Sequence, residues 1–337
     1  MRYAWLILTG MTLPLLTGCE IFSPTEAAID HYVAGRLAMD RENYQEALAE
    51  LDKSVRADPK LSIAYASMGD IHRKQGDNLQ AADAYEQACQ ANPYAFRSHY
   101  NLGVTYKILS DAARNAKAAG NYLRKAVQVY LRAVMLKPED FDTNLNLSAC
   151  YFQIGKYDLA IKYCQSAIKA DPKNPFAYSN LGTIYDAQNR HYDAIKAYKD
   201  SLELDVHQPM LLLNLGTTYI RLGRHKDALN AFELAAGEDP NCSDAWEQIG
   251  ACCFSQKKLD EAIKAYRRAI DINGQSAAAH RGLGVVYMTQ FVTSGKNTEL
   301  RDKALSAWNR SLELNSSQFD LLRLVRKYTP KLTEPEL

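Results

Sequence analysis

The chain has 337 residues, more than one hydrophobic core usually serves, so length alone asks for two domains or an extended repeat array. Ala, Leu, Lys, Glu, Gln and Tyr abound, Gly numbers 17 and Pro 11, and no Pro-rich, Ser-rich or low-complexity stretch interrupts them, a composition that fits helix throughout. With 40 basic against 39 acidic side chains and a net charge of +1, no overall field exists to recruit nucleic acid or an anionic membrane, and a charge-driven partner must use a local patch.

The N-terminus reads as an export signal. Arg2 supplies a positive start, and Tyr3 to Leu16 form an apolar run of about 14 residues, too short to span a bilayer comfortably. The run ends in Leu16-Thr17-Gly18-Cys19, which resembles the lipobox of bacterial lipoproteins, where small residues precede a cysteine that is acylated and becomes the mature N-terminus. The resemblance implies a signal peptide over residues 1–18, a palmitate-type anchor on Cys19 and a short tether to residue 27. More than one acyl chain makes such an anchor stable, at about 0.8 kcal/mol per buried methylene. Glu20 follows the cysteine, and the absence of Asp there implies the outer membrane, facing the periplasm.

From Ala28 a period of 34 residues organises the chain. Repeats start at Ala28, Ser62, Phe96, Phe141, Pro175, Pro209, Ser243 and Ala277. Position 20 is Ala in all eight: Ala47, Ala81, Ala126, Ala160, Ala194, Ala228, Ala262 and Ala304. Position 8 is Gly35, Gly69, Gly103, Gly182, Gly216, Gly250 and Gly284, with Ser148 departing. Two antiparallel helices pack closely where neither carries bulk, and larger residues fill the remaining space: Tyr106, Tyr151, Tyr185, Tyr219 and Tyr287 from first helices, with Tyr85, Tyr130, Tyr198, Phe232, Tyr266 and Trp308 from second ones. Pro59, Pro93, Pro138, Pro172 and Pro240 sit where the second helix must end, and Val206, Gly274 and Ser316 replace Pro elsewhere.

These residues are similar to the tetratricopeptide repeat (TPR) pattern over about 290 residues. The resemblance implies an all-α fold, a right-handed superhelical solenoid of about eight helix-turn-helix repeats over residues 28–317 whose first helices line the concave side. Repeat 3 carries about 11 extra residues between Tyr106 and Ala126, and repeat 8 about 8 between Tyr287 and Ala304, so longer hairpins are expected there. A solenoid end needs a cover, and residues 318–329 read as a capping helix with Phe319, Leu322 and Val325 on its dry face and Arg323, Arg326 and Lys327 on its wet face. The tail, 330–337, is expected to fray.

Six cysteines follow Cys19. Cys89, Cys150, Cys164, Cys252 and Cys253 fall within repeat helices and Cys242 in a connection, the pattern of small buried hydrophobes rather than of a disulfide framework. His31, His99 and His280 occupy repeat position 4, a packing position, and His72 occupies position 11. Paired acids such as Glu46 and Glu50 stand at i,i+4 on a helix surface. No phosphate loop, zinc-protease helix or calcium loop occurs. The expectation is a non-enzyme with no cofactor, metal, nucleic acid or small-molecule substrate.

Candidate binding residues lie on the first helices. Position 6 is Asn101, Asn146, Asn180 and Asn214 in four successive repeats, and a primary amide can both donate to and accept from the backbone of an extended peptide. The row resembles the asparagine ladder in the TPR region of O-linked N-acetylglucosamine transferases, although Asn at this position also bonds within scaffolds. Around it the resemblance places Leu145, Phe152, Phe176, Met210, Leu213, Ile220 and Phe254 on the inner surface as an apolar stripe, the alternative being packing between repeats. The carboxylate clamp of chaperone-binding relatives is absent, its positions here being Tyr32, Arg36, Ala66 and Asp70. Lys107, Arg114, Lys117, Arg124 and Lys125 make the third hairpin basic, which fits a solvated edge better than a contact with lipid headgroups. The expected function is a membrane-anchored scaffold of the bacterial envelope holding a partner peptide or helix; the alternatives are a structural or self-assembling component, or a regulatory subunit of a separately encoded enzyme.

Overall fold

The computed structural model describes residues 24–294 and 297–329; the export segment, Cys19 with Glu20, and the tail from Pro330 lie outside the described residues. These contain seventeen helices and no strand, the all-α fold of stacked hairpins that the repeat predicts. The chain divides between Leu136 and Lys137 into two compact units. The first holds three hairpins: α1 (Glu26–Asp40) with α2 (Tyr44–Ala57), α3 (Ser62–Gln75) with α4 (Asn78–Ala91), and α5 (Phe96–Asp111) with α6 (Ala116–Leu136). The second holds five: α7 (Phe141–Gln153) with α8 (Tyr157–Ala170), α9 (Pro175–Ala187) with α10 (His191–Leu204), α11 (Pro209–Arg221) with α12 (His225–Glu238), α13 (Ser243–Ser255) with α14 (Leu259–Ile272), and α15 (Ala277–Thr293) with α16 (Thr298–Leu314), followed by α17 (Phe319–Tyr328). The additional residues of the third and eighth repeats lengthen their helices to 16 and 21 and to 17 and 17 residues.

Inside six of the eight hairpins the Gly at position 8 makes room for an aromatic ring, and in the first Gly35 makes room for Leu51. A Cβ added at Gly103, Gly182 or Gly216 would come within 2.5 Å of the ring of Tyr130, Tyr198 or Phe232 at position 24 of the partner helix, closer than any real contact. Those three rings are fully or almost fully buried. The fourth repeat inverts the sizes. Ser148 replaces Gly, Cys164 replaces the ring, and the Ser148 hydroxyl donates to the Ala160 carbonyl at 2.7 Å. Burial pushes the Cys164 thiol up to about 12, so this sulfur fills space as a neutral group.

Two further devices repeat. The six hairpins of ordinary length turn through a left-handed residue at position 15: Glu42, Gly76, Gly155, Asn189, Gly223 and Lys257, with φ between 59° and 84°. The polar tip of position 4 donates to the carbonyl six residues earlier, in the connection that leads into its own helix. His99 reaches Pro93, Asn144 reaches Pro138, Tyr178 reaches Pro172, Trp246 reaches Pro240 and His280 reaches Gly274, at 2.8–3.3 Å. Where Val206 and Leu212 replace the Pro and the polar tip, the Gln208 amide bonds the Ser201 and Asp205 carbonyls instead. Gln318 does the same for Ser311 and Asn315. Position 4 is thus large and usually polar-ended because it both packs and satisfies a helix-end carbonyl.

Two boundaries differ from the sequence reading. α1 begins at Glu26 rather than Ala28, because Thr25 caps it by accepting from the Ala28 amide at 3.3 Å. In α17 the anchor is Leu321, 1% exposed, while Phe319 is 72% exposed; Val325 and Tyr328 complete the dry face with it. The spacing 321, 325, 328 keeps one helix face better than 319, 322, 325 does once α17 starts only at Phe319, whose first-turn side chain projects past the core.

Two substitutions test the hairpin geometry by chemical denaturation. Gly216→Ala forces a methyl into the Phe232 ring and is expected to destabilise the chain by about 1–3 kcal/mol. Lys257→Gly relieves a left-handed side chain and is expected to stabilise it by up to about 1 kcal/mol.

Candidate partner-binding face

A residue at position 2 of a first helix shares a face with the residue four places on. In α7, α9, α11 and α13 these pairs are Asp142 with Asn146, Phe176 with Asn180, Met210 with Asn214, and Asp244 with Gln248. All four residues at position 2 are exposed, while positions 3, 7 and 10 of the same helices are buried. The helix starts hold this face in place. Asp140 accepts from the Thr143 amide at 2.9 Å to cap α7, Asn174 accepts from the Phe176 amide at 3.1 Å, and Pro175 and Pro209 open α9 and α11, where a missing N–H costs nothing. Among the first helices of this unit α7 touches α9, α9 touches α11 and α13 touches α15, so the pairs of α7, α9 and α11 lie side by side and the α13 pair follows at the same repeat positions.

The predicted residues separate into three groups. Asn146, Asn180 and Asn214 make no side-chain hydrogen bond to any described residue, and Asn214 is exposed, so their donors and acceptors are open. Asn101 belongs to the other unit and donates to Asp70 at 3.3 Å. There it joins a scaffold cluster: Asp70 also accepts from the Tyr85 hydroxyl at 2.5 Å, and burial with that carboxylate raises the Tyr85 phenol. The apolar stripe is interrupted. Phe176 and Met210 are 63% and 65% exposed, but Leu213 is only 8% exposed and belongs to the core cluster that runs from Ala194 to Leu321, against which Ile220 and Phe254 pack as half-buried neighbours. Leu145 is half-buried, and Phe152 is tilted against Tyr157 at 5.8 Å. Leu213 is therefore corrected from a contact residue to a packing residue, since α11 buries Leu211, Leu212 and Leu213 in succession.

Three residues escaped the sequence reading. Gln248 stands 34 residues after Asn214 and extends the amide row under a different letter. Asp142 and Asp244 flank the Phe176 and Met210 pair at the same repeat position. Nearby, the half-buried Glu247 carboxyl accepts from Ser276 at 2.8 Å and is pushed up by burial and by Asp244. No Lys or Arg occupies position 2, 5, 6 or 9 of these four helices. Elsewhere the basic third hairpin is partly neutralised, with Lys107 paired to Asp111 and Lys125 to Glu86.

Comparison with known proteins gives consistent relatives. Family models for the tetratricopeptide repeat match residues 139–205 and 213–277, and a TPR repeat model matches 69–108. The chain is 30% identical to the Photosystem I assembly protein Ycf3 of Synechococcus elongatus over 36% of its own length and 70% of that protein. It is 27% identical over 38% of its length to the barley (Hordeum vulgare) protein named Probable UDP-N-acetylglucosamine–peptide N-acetylglucosaminyltransferase SPINDLY, of which it spans only 13%. Among solved structures, Pseudomonas aeruginosa pilF superposes with a TM-score of 0.55 over 69% of this chain and 97% of that one, at 17% identity, a likeness of fold.

The two kinds of apolar residue respond differently to charge. Leu213→Asp is expected to lower stability by about 3–5 kcal/mol, because a buried carboxylate loses its water. Phe176→Asp is expected to stay within about 0.5 kcal/mol of the parent, both read from denaturant midpoints.

Proposed function

The chain belongs to the tetratricopeptide repeat family, whose members act as protein-interaction scaffolds, and from that premise we propose that it is a lipid-anchored scaffold of the bacterial envelope whose second unit holds an extended segment of a partner protein. The observation that carries the binding reading is the row of unbonded amides, Asn146, Asn180, Asn214 and Gln248, beside the exposed Phe176 and Met210. Open amides in a row can pair with peptide backbone of any sequence, and exposed apolar side chains can take the partner's apolar ones. The anchor reading rests on Leu16-Thr17-Gly18-Cys19. No described helix is long and apolar enough to cross a membrane, and acylation of Cys19 supplies the attachment in this proposal, at the outer membrane facing the periplasm. The scaffold then works close to the bilayer, since few residues separate Cys19 from α1.

A second reading, self-association, has its own observation. Position 10 is buried in the other seven first helices, yet at α1 it is Leu37, 52% exposed beside the exposed Ile29 and Val33. At the other end α17 covers α16 through Leu321. The first hairpin therefore leaves exposed, at position 10, a side chain whose counterpart every later first helix buries.

Each reading has a measurement. A photoreactive residue at position 180 is expected to crosslink a discrete partner in cells while one at position 101 does not; equal yields from both count against the binding face. Labelled palmitate is expected to enter the parent and not Cys19→Ser. Light scattering of the detergent-solubilised chain is expected to stay monomeric with concentration; a dimer abolished by Leu37→Lys favours the second reading.

A further inference from the structure

Assuming that the first-helix face of the second unit is a peptide site, its chemistry also states which peptide. Along repeat position 2 the order is Asp142, Phe176, Met210, Asp244, all exposed, with the amides of Asn146, Asn180, Asn214 and Gln248 one turn further on. Two carboxylates thus bracket two apolar side chains. Glu247 adds a third acidic group beside Asp244, and no cation stands at positions 2, 5, 6 and 9 of these four helices; Arg281, at position 5 of α15, bonds Gln318 at 3.4 Å. Asp142 makes no ion pair with any described residue, and Asp244 receives only a long hydrogen bond from Ser243 at 3.4 Å. With a net charge of +1 over the whole chain, a preference for cations here must come from this face rather than from the field of the protein.

The spacing sets the reading frame. Packed helices stand about 8–10 Å apart, and an extended chain advances about 3.3 Å per residue, so one step from helix to helix matches about three residues of a bound strand. From these observations we infer that the face selects extended segments carrying two apolar residues three places apart, with Lys or Arg three places beyond each of them. The apolar pair rests on Phe176 and Met210, the cations reach Asp142 and Asp244, and the amides hold the backbone between. The same face disfavours segments with acidic ends, because like charges would be brought together.

The test uses the full chain in detergent and the labelled peptide Lys-Ser-Gly-Leu-Ser-Gly-Leu-Ser-Gly-Lys, with one analogue carrying Glu at both ends and another carrying Ser in place of both Leu. The Lys-ended peptide is expected to bind about tenfold tighter than the Glu-ended one, the sum of two exposed ion pairs. The gap should narrow in high salt and close in the Asp142→Asn/Asp244→Asn variant. Both sites are exposed, so thermal unfolding of that variant should change only by the small loss of two charges at helix N-termini. Ser for Leu should weaken binding as well. Equal binding of the Lys-ended and Glu-ended peptides, with Leu still required and Asn180→Ala/Asn214→Ala weakening both, overturns the charge selection while leaving the face a peptide site. A Lys preference that survives in the double Asp variant also overturns it, as general attraction. Saturable binding by none of the peptides overturns the selection together with the site.

Discussion

The fit of an aromatic ring at position 24 over a residue without bulk at position 8 is the constraint from which the rest of the structure follows. It fixes the distance and rotation between the two helices of a hairpin, and that rotation decides which residues of the first helix point to the core. Once Gly182 accepts the Tyr198 ring and Gly216 the Phe232 ring, positions 3, 7 and 10 are buried and positions 2 and 6 are turned outward. The pair Ser148 and Cys164 supports the same rule by exception, since the larger residue on one helix meets the smaller on the other, and a hydroxyl bond to Ala160 fills what remains. A single hairpin of this size cannot bury enough surface to stand alone, and within each unit the bonds from position 4 to the preceding connection carry the order of one hairpin into the next.

The open face is thus a by-product of packing before it is a binding surface. Four helices built to the same rule present the same two positions, and evolution is free to vary the residues there without disturbing the core. At position 6 three Asn and one Gln keep one chemistry, whereas at position 2 the chemistry changes from acid to apolar and back. Uniform amides suit a partner's backbone, which is alike in every protein; a varied row suits its side chains, which are not. The first unit lacks this arrangement, because Asn101 is drawn into the cluster around Asp70 and Tyr85.

Much of the fold could be read in the sequence because its signals recur. Gly at position 8 and Ala at position 20 return so often that chance cannot align them, and Pro marks the helix ends. The site was less legible for reasons of physics. A buried Leu and an exposed Leu are the same letter, so Leu213 looked like a contact residue when α11 in fact buries three leucines in a row. Gln248 was missed because a different letter carries the same amide. Asp142 and Asp244 were passed over because acids in the first turn of a helix are ordinary companions of its dipole, and only their exposure beside Phe176 and Met210 gives them another meaning. The capping helix lies where the sequence places it, but its first anchor is Leu321 rather than Phe319, which stands where the helix has barely begun.

The most direct measurement is nuclear magnetic resonance of the side-chain amide groups during titration with an extended peptide that carries two Leu three places apart and Lys three places beyond each. A backbone-holding row predicts that the NH2 signals of Asn146, Asn180, Asn214 and Gln248 shift together along one saturating curve while that of Asn101 stays in place. Saturable binding with those four signals unmoved would contradict it.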